Sequence, residues 1–200
     1  MKHLVIYVPG KGGSAEEAKH FEPLFAESDV IGFDYKSQNP WEAKIEFPQF
    51  FDLHSEEYDS VTLIANSIGA FFSMNALAEK KISQAMFISP IVNMEKLIMD
   101  MMIWSKVTES DLQRKKEIPT EFGETLSWDY LCYVREHPIK WRIPTCILYG
   151  GKDNLTPVET ISEFSNRINA DLTVMDDGEH WFHTAAQMKF LDDWISNSIR

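Results

Sequence analysis

The segment Ala65-Asn66-Ser67-Ile68-Gly69 stands between an apolar run, Val61 to Ala65, and a helical pattern that begins at Ile68. A serine hydroxyl is a poor nucleophile unless it is held exposed and a base removes its proton. A sharp strand-to-helix turn does the holding. It crowds the positions two before and two after the serine, which must be small, and here they are Ala65 and Gly69. The same turn aims the backbone N–H of Ile68 at the place where an oxyanion would form. An ordinary strand-to-helix loop with Ser67 as its N-cap is the other reading of these residues.

A base and its orienter must come from elsewhere in the chain. In Asp176-Asp177-Gly178-Glu179-His180-Trp181-Phe182-His183, a histidine beside glycine follows the last apolar run, where it can reach the mouth of a sheet as general base. His180 is preferred to His183, which lies where the final helix starts and suits capping or packing. Tyr149-Gly150-Gly151-Lys152-Asp153-Asn154-Leu155-Thr156-Pro157 also follows an apolar run. An aspartate in such a loop is usually a turn former. Asp153 is singled out because it follows the serine and precedes the histidine in chain order. Pro9-Gly10-Lys11-Gly12-Gly13 follows the first apolar run. Its glycines let backbone N–H groups approach an anion, and beside a nucleophilic Ser67 the N–H of Lys11 would be the second oxyanion donor. Neither the phosphate-loop nor the dinucleotide spacing is met, and a plain turn is the alternative.

These segments need a scaffold, and the pattern supplies one. Short β-branched or aromatic runs occur at Leu4 to Val8, Val30 to Phe33, Val61 to Ala65, Ala85 to Ile88, Thr145 to Tyr149 and Leu172 to Met175, as strands buried on both faces should. Helical patterns fill the gaps. Ser14 with Glu17 forms a capping box opening a helix near Ala15 to Glu27; others cover Trp41 to Glu57, Ile68 to Lys80 and Ala185 to Ile199. Thr156-Pro157-Val158-Glu159 reads as a further capping box with proline at the first helical position. The expectation is an α/β fold: a three-layer α/β/α sandwich around a mostly parallel sheet of about six strands. Between Ile91 and Arg142 no strand is expected. Met94, Leu97, Met101, Met102, Trp104, Trp128, Tyr130 and Trp141 mark residues 93–142 as a small helical insertion within a single domain, 1–200.

Composition narrows the partners. The 200 residues carry a formal net charge of −12 and no lysine- or arginine-rich run, so no nucleic-acid partner is expected. No stretch is long enough for a membrane span, and the opening apolar run, ended by Pro9-Gly10, is too short for a signal-peptide core. Cys132 and Cys146 show no metal or redox spacing, so they read as reduced thiols of a cytoplasmic protein without metal or cofactor.

Taken in order, the Gly-rich loop after a strand, the small-x-Ser-x-Gly turn, Gly150-Gly151-Lys152-Asp153-x-x-Thr156-Pro157 and Gly178-x-His180-Trp181 resemble the α/β-hydrolase superfamily over nearly the whole chain outside the insertion. The closest resemblance is to small bacterial esterase-, lipase- or thioesterase-like hydrolases. It implies Ser67 as nucleophile, His180 as base, Asp153 as its orienter, and Ile68 and Lys11 as oxyanion donors. It implies a six-stranded minimal core, since the first strand already carries the oxyanion loop, and an insertion acting as a cap whose Met101 and Trp104 line an acyl pocket. The substrate implied is a small-molecule carboxylic ester or thioester with a short to medium apolar acyl group. Amidase, peptidase or carbon–carbon bond hydrolysis on the same residues, or ligand binding without catalysis, are the alternatives. Two residues depart from the family pattern: Ala65 for the commoner glycine, and Pro9 for the histidine that often precedes the oxyanion glycine.

Overall fold

The computed structural model describes residues 2–199. Its strands are β1 (His3–Val8), β2 (Asp29–Gly32), β3 (Ser60–Asn66), β4 (Gln84–Ile88), β5 (Glu117–Pro119), β6 (Thr125–Ser127), β7 (Thr145–Gly150) and β8 (Asp171–Met175). Six of them form one sheet in the order β2-β1-β3-β4-β7-β8, and all five pairings are parallel. The four inner strands are buried along almost their whole length, which is why they read as continuous apolar runs rather than alternating ones. The edge strands β2 and β8 are only half-buried.

The helices that cover this sheet are α1 (Pro40–Ser55), α2 (Ile68–Ala76), α6 (Val158–Ile168) and α7 (Ala185–Ser198). On one face Val5, Tyr7, Ile64, Met86 and Leu148 pack with Leu191, Trp194 and Ile195 of α7 and with Ala18, Phe21 and Phe25. The alternate residues of β1 and β3 face the other way, toward the side held by α1 and α2. There Phe47 and Phe72 meet edge to face at 6.1 Å. These layers are the expected α/β/α sandwich.

Three local expectations are corrected. The segment after Ser14 is not an α-helix but two 3-10 segments, Ala15–His20 and Glu22–Leu24, although the Ser14/Glu17 capping box is present. Pro23 cannot donate to a continuing helix. Close packing on β2 also confines the segment: a Cβ on Gly32 would lie 1.9 Å from the Ala15 carbonyl oxygen. The expected Thr156 cap is not formed either. Pro157 takes the N-cap position of α6 without a side-chain bond, and the buried Thr156 hydroxyl turns instead to the Pro90 carbonyl at 3.5 Å. Lastly, α2 stops at Ala76, four residues short of the expected Lys80.

Residues Asn93–Ile139 form a compact unit of their own, and the rest of the described chain forms the other. The smaller unit contains α3 (Met94–Trp104), α4 (Glu109–Lys115), α5 (Trp128–Glu136) and the antiparallel pair β5–β6. That hairpin corrects the expectation of no strand here. Each strand has only three residues and one ends on Pro119, too little for a two-residue period to register. Arg135 ties the unit together, bonding Glu95 of α3 at 2.8 Å and Glu109 of α4 through both terminal nitrogens, at 2.7 and 3.0 Å. Trp141 clusters with the sheet unit, where its indole N–H donates to the Thr145 hydroxyl at 2.8 Å. Among the described residues no helix is long and apolar enough to cross a membrane.

Candidate active site

Ser67 follows β3 directly, at the carboxyl edge of the sheet, and its backbone is at φ 51°, ψ −119°. A residue with a Cβ is strained there, on the order of 1–3 kcal/mol, and holds only if its surroundings over-determine it. They do. Its N–H donates to the Ile88 carbonyl at 3.0 Å, and its carbonyl accepts from Ala70 and Ile91, both at 3.2 Å. The tightness of the turn also explains Gly69, where a Cβ would stand 2.3 Å from the Pro9 carbonyl oxygen. Although Ser67 occupies the N-cap position of α2, its hydroxyl makes no capping bond. It meets His180 Nε2 at 2.8 Å.

His180 lies in the loop between β8 and α7, and its Nδ1 stands 2.6 Å from Asp153 Oδ2. Asp153 follows β7, and its side chain is fully buried. The other carboxylate oxygen, Oδ1, accepts from the N–H groups of Leu155 at 2.7 Å and Thr156 at 3.1 Å. Three loops that follow three different strands thus bring Ser67, His180 and Asp153 into one hydrogen-bonded line. The rivals stand outside it. His183 bonds the Trp181 carbonyl and stacks on the Trp181 ring at 4.4 Å. Asp177 is exposed and paired with Lys152 at 2.7 Å.

The loop after β1 lies against this line. A Cβ on Gly10 would be 3.1 Å from Ser67 Cβ. The Gly13 N–H donates to the Gly10 carbonyl at 3.1 Å, closing a turn with Lys11 and Gly12 at its centre and Gly12 at φ 77°. In such a turn the Gly10 carbonyl points inward, so the N–H of Lys11, in the same peptide plane, points outward. Ile68 opens α2, where the first N–H groups have no partner within the helix. Among the described residues no group of three or more His, Cys, Asp or Glu side chains is placed to hold a metal ion.

No protein-family model matches the chain, and no curated protein does. Solved structures do. The α/β hydrolase domain-containing protein 10 from mouse superposes with a TM-score of 0.76 at 17% identity, over 97% of this chain and 88% of that one. Est1E from Butyrivibrio proteoclasticus gives 0.76 at 16% identity, over 98% and 86%. The thioesterase domain from the curacin biosynthetic pathway gives 0.59 at 15% identity, over 97% and 91%. The chain has the α/β-hydrolase fold.

Within the α/β-hydrolase fold, further bonds hold two of the three loops. The Tyr149 hydroxyl donates to the Thr156 carbonyl at 2.7 Å and so braces the acid loop. Burial, reinforced by Asp153 and Glu159, pushes its hydroxyl up to about 12, so it stays a donor. Gly151 and Lys152 donate to the Met175 and Gly178 carbonyls, both at 2.8 Å, joining the acid loop to the one that carries His180. The only signal for these in the sequence is a tyrosine at a strand end and a run of glycines. Met101 and Trp104 lie on α3 of the smaller unit, Met101 half-buried and Trp104 exposed.

Proposed function

We propose that the protein is a serine hydrolase cleaving a carboxylic ester or thioester through an acyl-enzyme. The observation carrying this reading is the line Ser67 Oγ–His180 Nε2, 2.8 Å, and His180 Nδ1–Asp153 Oδ2, 2.6 Å. Ser67 Oγ attacks the carbonyl carbon while its proton passes to His180 Nε2. The electron pair displaced onto the carbonyl oxygen is met by the N–H groups of Ile68 and Lys11. On collapse the alcohol or thiol departs with the proton from His180, leaving the acyl group on Ser67. Water then repeats the sequence, and the acid is released. Asp153 keeps the imidazole in the Nδ1–H tautomer and stabilises the imidazolium without taking the proton. The thioesterase domain among the similar structures supports the substrate class.

Ser67→Ala tests the reading. It removes one oxygen and leaves the backbone bonds of this half-buried turn in place, so the protein should remain folded. Turnover of p-nitrophenyl esters or acyl thioesters should fall by about 10⁴-fold or more, and labelling by a fluorophosphonate should disappear. A mutant that keeps the wild-type rate ends the proposal. Hydrolysis of aminoacyl anilides in preference to both ester classes would move it to an amidase.

A further inference from the structure

The loop between β1 and the first 3-10 segment contains three glycines in four residues, Gly10-Lys11-Gly12-Gly13. Such a loop has wide conformational freedom, yet an oxyanion donor works only if it is held within a fraction of an ångström. What holds it is visible at its two ends. At the far end Glu17 accepts from the Ser14 N–H at 3.2 Å and from the Tyr7 hydroxyl at 2.5 Å. At the near end the Tyr35 hydroxyl donates to the Pro9 carbonyl at 3.1 Å.

We propose that Tyr35 is a positioning residue that sets the oxyanion loop by clamping the Pro9 carbonyl. This rests on the reading of Ser67 as an acyl-transfer nucleophile. The Pro9 carbonyl oxygen is confined from two sides. One is the Tyr35 hydroxyl, and the other is the bare Cα of Gly69, where a Cβ would come within 2.3 Å of it. A trans peptide is planar, so fixing that carbonyl also fixes the N–H of Gly10 and the direction in which the chain enters the turn. Gly10 in turn lies directly over Ser67. A rotation of the Pro9–Gly10 peptide therefore moves Lys11 relative to the serine.

Why a tyrosine stands here follows from its neighbours. The ring packs against Phe33, Phe47 and Phe72 at 5.8, 5.2 and 5.9 Å. Phenylalanine would satisfy that packing, and every other ring in the group is one. The hydroxyl is the surplus, and it is spent on Pro9. Pro9 is also one of the two residues that depart from the family pattern, and it has no N–H of its own to anchor the loop. Burial, with Glu46 adding to it, pushes the Tyr35 hydroxyl up to about 12, so the clamp stays protonated at any pH at which esters are assayed.

Tyr35→Phe deletes the clamp and keeps the ring. The kcat on p-nitrophenyl esters should fall roughly 10- to 100-fold while KM stays within about twofold, because the loop acts on the oxyanion and not on the ground-state carbonyl. An alkyl trifluoromethyl ketone reports the same interaction without turnover. Ser67 adds to its carbonyl, the proton passes to His180, and the resulting oxyanion sits between the donors. Its inhibition constant should weaken by about the factor by which kcat falls. A kcat within twofold of wild type overturns the inference. So does a loss of rate that leaves the ketone's affinity unchanged or that raises KM in step. If Ser67→Ala remains active in the same assays, the hydrolase reading falls and this inference with it. A Ser67-dependent enzyme indifferent to Tyr35→Phe removes this inference alone.

Discussion

At the scale of single residues, the two carboxylate oxygens of Asp153 have different partners, and the proposed function depends on that difference. Oδ1 accepts from two backbone N–H groups, and Oδ2 faces His180 Nδ1. In Asp153→Asn only the side-chain oxygen can take the Oδ1 place, so the NH₂ must face the imidazole. That forces the proton onto Nε2, where it points at Ser67 and leaves no base. The expected result is a loss in kcat of about 10⁴-fold with KM little changed. Asp177→Asn, whose carboxylate meets only a surface lysine, should stay within about twofold, since exposed pairs contribute little. His183→Ala should likewise stay active where His180→Ala does not. Steady-state kinetics on the four variants decides the assignment; a damaging Asp177→Asn or His183→Ala would overturn it. Ser67, Asp153 and His180 were legible because each sits in a short motif after a strand. Thr156 looks like a cap in the sequence because its partner, the Pro90 carbonyl, is sixty-six residues away and leaves no local trace.

At the scale of elements, the positions of these side chains depend on how closely β7 and β8 end together. Gly150, the last residue of β7, faces the loop that leads to His180, and a Cβ there would lie 2.4 Å from the Glu179 carbonyl oxygen and 2.7 Å from Gly178 backbone. Neither loop can retreat, because the Gly151 and Lys152 N–H bonds join them. Gly150→Ala should therefore separate Asp153 and His180. The expected cost is about 1–3 kcal/mol in stability, the usual range for overpacking. A displacement near 1 Å should also lower kcat by about 100-fold. Denaturant melts and kinetics on the same sample check both; unchanged activity would mean the loops have slack. The strands themselves were the most legible part of the chain, since burial on both faces gives uninterrupted apolar runs. The first helical pattern was the least, because a capping box marks where a helix starts but says nothing of whether a later proline and a close-packed strand will let it continue. Tyr35 carries no sequence signal for a related reason: its partner, the Pro9 carbonyl, is twenty-six residues away.

At the scale of the whole molecule, the chain divides into a sheet unit that carries Ser67, His180 and Asp153 and a smaller unit, Asn93–Ile139, with its own core. The expectation that Met101 and Trp104 select the acyl group can be tested apart from stability, because the smaller unit separates its core from its surface. Leu112 is fully buried, whereas Trp104 is 51% exposed beside Ile103 and Phe122, which are also exposed. Truncating a buried leucine typically costs about 2–5 kcal/mol. Truncating a half-exposed tryptophan forfeits less, because about half of its surface already faces water and no closed cavity is left behind. Trp104→Ala should therefore lower the melting temperature less than Leu112→Ala does. If the insertion reads the acyl chain, Trp104→Ala should nonetheless change the ratio of kcat/KM for hexanoate over acetate p-nitrophenyl esters severalfold, and Met101→Ala should move it in the same direction. Each buried methylene is worth about 0.8 kcal/mol, so a pocket that loses contact with two of them should lose about tenfold in that ratio. Leu112→Ala supplies the control, with a large drop in melting temperature and a ratio close to wild type at temperatures where it is folded. Should Trp104→Ala and Met101→Ala leave the ratio untouched, selection of the acyl chain belongs to the sheet unit, and the exposed Trp104 of α3 serves something other than the substrate.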